Sequence, residues 1–117
     1  HESEYHYLCK ILLTLECDGT IASVYNIPNI ARKVLDTFLM FRVPSGDNTF
    51  EKLKTLNFDK DKKVAIYKFV NDQSHITGKG LDPCLVLETQ KNIKNLLEMM
   101  NVTSPEHFQI LKSSIGL

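Results

Sequence analysis

The sequence has 117 residues, of which 43% are hydrophobic and 24% are charged. Length and composition are typical of one globular domain with its own core, over residues 1–117. Its 14 basic residues balance its 14 acidic ones, which disfavours a surface built mainly to coat nucleic acid. No apolar run is long enough to cross a bilayer, and no stretch has the pattern of a secretory signal. We therefore expect a cytoplasmic protein with no membrane contact.

Three cysteines, Cys9, Cys17 and Cys84, are odd in number and widely spaced within apolar helical patterns. They predict reduced, buried thiols, as in cytosolic proteins. No pair has the C-x-x-C spacing of a zinc site, so we predict no metal site. Because the chain begins with His1 rather than Met, we expect it to be part of a longer protein.

Helical periodicity dominates the first half of the chain. A first helix is predicted over about 2–17, ended by Asp18-Gly19, and 21–25 is the only candidate strand, too short to form a sheet alone. Pro28 favours the first turn of a second helix, which runs to about Arg42. The predicted inward faces of the two helices consist of Tyr5, Leu8, Ile11, Leu12 and Leu15, and of Ile30, Val34, Leu35, Phe38 and Phe41.

The second half of the chain carries four more helix-start signals. Thr49 is predicted to cap a short helix through about Leu56, and Asp59 or Asp61 to cap a helix over 62–74. Two cap-proline pairs then predict a helix from Pro83 to Met100 and a final helix over 106–112. The fold class is therefore all-α, a single compact domain of about five to six helices.

Two polar pairs on separate helices are the candidates for chemistry. Arg32 and Asp36 are four residues apart and share one helix face, as do Asn71 and His75. If the helices pack together, a guanidinium, a carboxylate and an imidazole meet. These groups suffice for metal-independent RNA cleavage, in which a base and an acid move protons while a cation steadies the phosphate. The spacing alone favours the structural alternative, an ordinary helix ion pair and a histidine that complements a helix dipole.

The remaining signals point away from other sites. His6 and His107 lack partners at metal-ligand spacing, and acidic residues interrupt the lysine-rich segment over 52–68, which favours a solvated face over an RNA groove. No G-x-x-x-x-G-K-[ST] phosphate loop occurs in the chain.

Four segments in chain order carry a resemblance to a known family: Ser3–Leu8, Ile27–Leu39, Phe69–His75 and Glu106–Phe108. They resemble the C-terminal helical region of bacterial ATPases with an ABC-type or AAA head, related to anticodon nucleases of the PrrC/RloC type. The resemblance implies an ATPase head upstream, where ATP and Mg²⁺ bind and through which the full-length protein forms a dimer. It implies no cofactor in this chain.

The nucleases of this family join an ATPase sensor to a ribonuclease whose site is Arg-x-x-x-Glu followed by a His. The matching positions are Arg32, Asp36 and His75, with Asn71 orienting the histidine or contacting a phosphate; Asp36 is one methylene shorter than the family's Glu. The resemblance implies an endoribonuclease acting on tRNA-like RNA in bacterial defence or stress. The alternative is a non-catalytic helical module that helps the ATPase to dimerise or recruits an effector.

Overall fold

The computed structural model describes residues 3–15, 26–71 and 84–116. This part of the chain forms six α-helices and no strand, which confirms the all-α prediction: α1 Glu4–Leu13, α2 Ile27–Arg42, α3 Thr49–Lys54, α4 Lys60–Asn71, α5 Cys84–Thr103 and α6 Pro105–Ser114. The candidate strand over 21–25 and the predicted helical residues 16–17 and 72–74 lie outside the described residues. The radius of gyration, 14.0 Å, is close to the roughly 13 Å expected of a compact chain of this length.

Helix α2 is the central element, because α1, α3, α4 and α5 all pack against it. Its buried residues recur at helical spacing and form the middle of the core: Ile27, Pro28, Ala31, Val34, Leu35, Phe38 and Leu39. The prediction that Phe41 faces inward is wrong, since its side chain is 72% exposed. Phe41 lines an open groove of about 170 Å³ together with Tyr5 and His107, and most of its surface faces solvent.

The outer helices complete the core from both sides. Helix α1 buries Cys9 and Leu12, while the other residues of its predicted inward face are half-buried. Helix α5 contributes Ile93, Leu96, Met99 and Met100, and α6 contributes Phe108 and Leu111. The prediction of a buried thiol is confirmed for Cys9; Cys17 and the side chain of Cys84 lie outside the described residues.

The helix starts correct one capping prediction and resolve another. Asn48, not Thr49, caps α3, because its side-chain oxygen accepts a hydrogen bond from the Glu51 backbone N–H at 2.9 Å. The Thr49 hydroxyl is directed to another helix instead. Asp59 rather than Asp61 caps α4, accepting from the Lys62 N–H at 2.9 Å. A side chain one residue before the first turn can reach these N–H groups, whereas one inside the turn cannot.

Candidate active site

Arg32 and Asp36 form an ion pair on the surface of α2. The Arg32 Nε donates to Asp36 Oδ2 at 3.0 Å, as their four-residue spacing on one helix allows. Their side chains are 35% and 43% exposed. A ligand in solvent can therefore reach both groups.

Thr49 holds the second oxygen of the same carboxylate. Its hydroxyl donates to Asp36 Oδ1 at 2.8 Å from the first turn of α3. Both carboxylate oxygens are thus fixed, one by a residue of the same helix and one by a neighbouring helix. The sequence does not predict this contact, because the two residues lie on different helices and meet only through the conformation of the turn between α2 and α3.

Asn71 brings the end of α4 to the same place. Its side-chain oxygen accepts a hydrogen bond from Arg32 Nη1, and Asn71 is the last residue of α4. Three of the four predicted site residues, Arg32, Asp36 and Asn71, therefore lie together. His75 lies outside the described residues, so the position of its imidazole stays a prediction.

Residues 1–100 match a family described as an AAA domain, and the matched range contains all four predicted site residues. The chain belongs to this AAA domain family. No curated protein and no solved structure matches it. The predicted relationship to ATPases is thus confirmed as an AAA-type, ATPase-related region, and the relationship to anticodon nucleases stays a prediction.

In this AAA-family chain, the Arg32–Asp36 pair keeps part of its hydrogen-bonding capacity. A guanidinium has five N–H donors, and described residues accept from two of those of Arg32. The planar fork matches the oxygens of a phosphate. A carboxylate has about four acceptor sites, of which Arg32 and Thr49 use two. The arrangement can bind a phosphate and accept a proton beside it.

The two described histidines serve a different part of the fold. His107 Nε2 lies 2.9 Å from the Tyr5 hydroxyl, and His6 Nε2 lies 2.6 Å from the Ser114 hydroxyl, so both connect α1 to α6. Among the residues with a described structure, no cluster of His, Cys, Asp and Glu could hold a metal ion. No described helix is long and apolar enough to cross a membrane.

The lysine-rich segment makes contacts within its own surroundings. Lys62 pairs with Glu98 at 3.2 Å, and Lys63 Nζ donates to the Leu56 carbonyl at 2.8 Å. Lys54 lies 3.5 Å from Glu51. These contacts fit the prediction of a solvated face, in which charges pair locally and keep contact with water.

Burial raises the pKa of two side chains of α1. It raises the pKa of the Cys9 thiol to about 11, against the smaller opposing effect of a hydrogen bond with Tyr5. It also raises the pKa of the Tyr5 hydroxyl, with the neighbouring Cys9 adding to the effect. The Cys9 thiol is therefore protonated at neutral pH and a poor nucleophile.

Proposed function

We propose that this chain is the RNA-cleaving part of a bacterial AAA-type ATPase, acting on tRNA-like RNA without a metal ion. One observation carries the proposal: Arg32 bonds to Asp36 on its own helix and to Asn71 at the end of α4. Asn71 is four residues before His75 in the sequence. The Arg32 guanidinium and the Asp36 carboxylate therefore lie beside the C-terminal end of α4, which precedes His75 by four residues in the sequence.

The proposed reaction moves two protons. Either Asp36 or His75 removes the proton of a 2′-hydroxyl, whose oxygen attacks the adjacent phosphorus. The other group protonates the departing 5′-oxygen. Arg32 binds the non-bridging oxygens, where negative charge accumulates. The products are a 2′,3′-cyclic phosphate and a free 5′-hydroxyl.

Asn71 supports this reaction from the end of α4. It orients His75 or contacts a phosphate, and it keeps the Arg32 guanidinium aligned through their hydrogen bond. ATP with Mg²⁺ and the dimer contacts are assigned to a part of the protein outside this chain. That assignment rests on the resemblance of the chain to the ATPase family; the 117 residues themselves contain no G-x-x-x-x-G-K-[ST] loop.

A second candidate function is a non-catalytic module that helps the ATPase to dimerise or recruits an effector. The specific observation in its favour is that both oxygens of Asp36 accept hydrogen bonds from the protein. In that role Arg32, Asp36 and Thr49 fasten α2 to α3 and α4. Neither role needs a metal ion.

Cleavage of tRNA by the full-length protein with ATP separates the two candidates. We expect Arg32→Ala to slow cleavage about 100-fold or more, as for loss of one group that stabilises transition-state charge, and His75→Ala to slow it similarly. Arg42→Ala is the matched control, because Arg42 lies at the far end of the same helix and bonds only the Thr103 carbonyl among described residues. Intact tRNA under all conditions would favour the module. Equal cleavage by wild type and His75→Ala would remove His75 from the mechanism.

A further inference from the structure

A groove of about 570 Å³ lies between α1 and the start of α2, next to the candidate active site. Arg32 lines this groove as well as bonding to Asp36, so the two places share one side chain. The volume falls within the range of about 300–1,000 Å³ that small-molecule sites occupy. A ligand bound at Arg32 therefore has room to extend along α1.

The lining combines a ring, amides and cations. Tyr7 presents its ring from α1 and is 55% exposed. Asn26 and Asn29 stand side by side at the start of α2, 3.4 Å apart between Asn29 Nδ2 and Asn26 Oδ1. Ile30 adds an apolar surface, and Lys33 adds a second positive charge beyond Arg32.

We propose that this groove binds one nucleotide of a single-stranded RNA, next to the phosphate held by Arg32. The base stacks on Tyr7, because every base offers a π face to an aromatic ring. The amides of Asn26 and Asn29 hydrogen-bond the edge of the base. Lys33 pairs with the neighbouring phosphate. This inference rests on the proposed function, in that it takes the ligand of Arg32 to be an RNA phosphate.

The positive charges of Arg32 and Lys33 attract RNA and an acidic peptide alike, whereas the Tyr7 ring favours RNA. None of the described lining residues is acidic, and Arg32 and Lys33 among them attract an anion of either kind. Lys33 is exposed and its Nζ lies 3.9 Å from Glu4, a loose contact that a phosphate can replace. A polypeptide carboxylate has no flat base to cover Tyr7, and that difference supplies the test.

Binding of a fluorescein-labelled single-stranded RNA to the full-length protein, measured by anisotropy in EDTA, tests the groove. We expect Tyr7→Ala to raise Kd about tenfold, as for loss of one base–aromatic stack, and Tyr7→Phe to stay within about twofold. Phe41→Ala is the matched control, since Phe41 is an exposed aromatic outside the groove. Lys33→Ala is expected to lower the salt slope of log Kd by about 0.7.

Three results would overturn the proposal: no RNA binding by the wild type, equal Kd for Tyr7→Ala and Tyr7→Phe, or equally tight binding of polyglutamate. The tRNA cleavage assay separates this outcome from that of the proposed function. Binding that depends on Tyr7 while tRNA stays intact supports the groove and contradicts the cleavage. Cleavage that Tyr7→Ala leaves unchanged, with unchanged RNA affinity, contradicts the groove and leaves the cleavage standing.

Discussion

Asp36 is held from two sides, by Arg32 one turn earlier in α2 and by Thr49 at the start of α3. A carboxylate fixed in this way keeps one orientation at the surface. Such fixing matters for a proton acceptor, which must lie within hydrogen-bond reach of its proton. It matters equally for a structural tie between the helices.

Replacing Thr49 with Val removes the hydroxyl and keeps the branched shape. We expect Thr49→Val to lower the free energy of unfolding by about 1 kcal/mol, because the lost hydrogen bond joins a charged but partly exposed group. Thr49→Ser keeps the donor and is the control. Urea unfolding measures both; equal stability of the Val and Ser variants would show that the contact with Asp36 contributes nothing.

Titration of the Cys9 thiol makes the free energy of unfolding depend on pH in the alkaline range. The folded thiol has a pKa of about 11 and the unfolded one about 9.0, so between these values the folded state binds more protons. Stability is therefore fully present below pH 9 and falls as pH rises through 11, by about 2 kcal/mol. Unfolding midpoints in urea at a series of pH values measure this effect.

The variant Cys9→Ala lacks the thiol and serves as the control for this titration. We expect it to be less stable at neutral pH because of the cavity, and to lose less stability between pH 9 and 11. A wild-type curve that is flat over that range would contradict the assigned burial effect.

Among the contacts around Asp36, some can be predicted from the sequence and others cannot. The Arg32–Asp36 pair is predictable because four residues make one helical turn. Its contacts with Thr49 and Asn71 are not, since they span 13 and 39 residues and depend on how helices pack. Among the predicted site residues that the structure describes, Asn71 joins the local Arg32–Asp36 pair through one of these long-range contacts.

At the scale of elements, α2 organises the core. Its position at the centre explains why its buried residues extend over four turns while α1 buries only Cys9 and Leu12 fully. A helix covered on several sides has a broad apolar stripe. Replacing a buried residue of that stripe should therefore lower the free energy of unfolding more than replacing an exposed apolar residue near the C-terminal end of α2.

Leu35→Ala tests this expectation against Phe41→Ala. Leu35 is fully buried and Phe41 is 72% exposed. We expect Leu35→Ala to lower the free energy of unfolding by about 2–5 kcal/mol, and Phe41→Ala by less than about 0.5 kcal/mol. Chemical denaturation compares the two variants; similar losses would contradict the exposed position of Phe41.

The start of α4 offers a second pair of matched variants. Asp59 accepts from the Lys62 backbone N–H, whereas Asp61 lies inside the first turn and is exposed. We expect Asp59→Ala to cost about 1 kcal/mol as a lost cap and Asp61→Ala less, as a lost dipole interaction of about 0.3–1 kcal/mol. Helix content and unfolding midpoints check both; a larger loss for Asp61→Ala would reverse the assignment.

The helices were predictable because periodicity and cap residues are local signals. Predictions were wrong where the packing of neighbouring elements, rather than the local sequence, determines the position of a side chain. Phe41 continues the apolar period of α2, yet the groove beside it leaves it in solvent. Thr49 is a good cap residue, yet Asn48 takes that place and the Thr49 hydroxyl bonds to Asp36.

At the scale of the whole molecule, the candidate active site and the groove form one continuous surface joined by Arg32. The chain has no net charge, so the proposed binding of RNA relies on this local surface rather than on a generally basic one. Under the proposed function, the ATPase part of the protein would control cleavage by altering the arrangement of these helices.

We propose metal-independent cleavage of RNA at the surface formed by Arg32 and Asp36. The most direct measurement is the chemistry of the new ends when the full-length protein is incubated with tRNA and ATP, with EDTA added after any ATP-dependent step. We expect cleavage to continue and to leave a 2′,3′-cyclic phosphate and a 5′-hydroxyl, and we expect a 2′-deoxy substitution at the cut site to abolish it. Products with a 3′-hydroxyl and a 5′-phosphate, or intact tRNA, would contradict it.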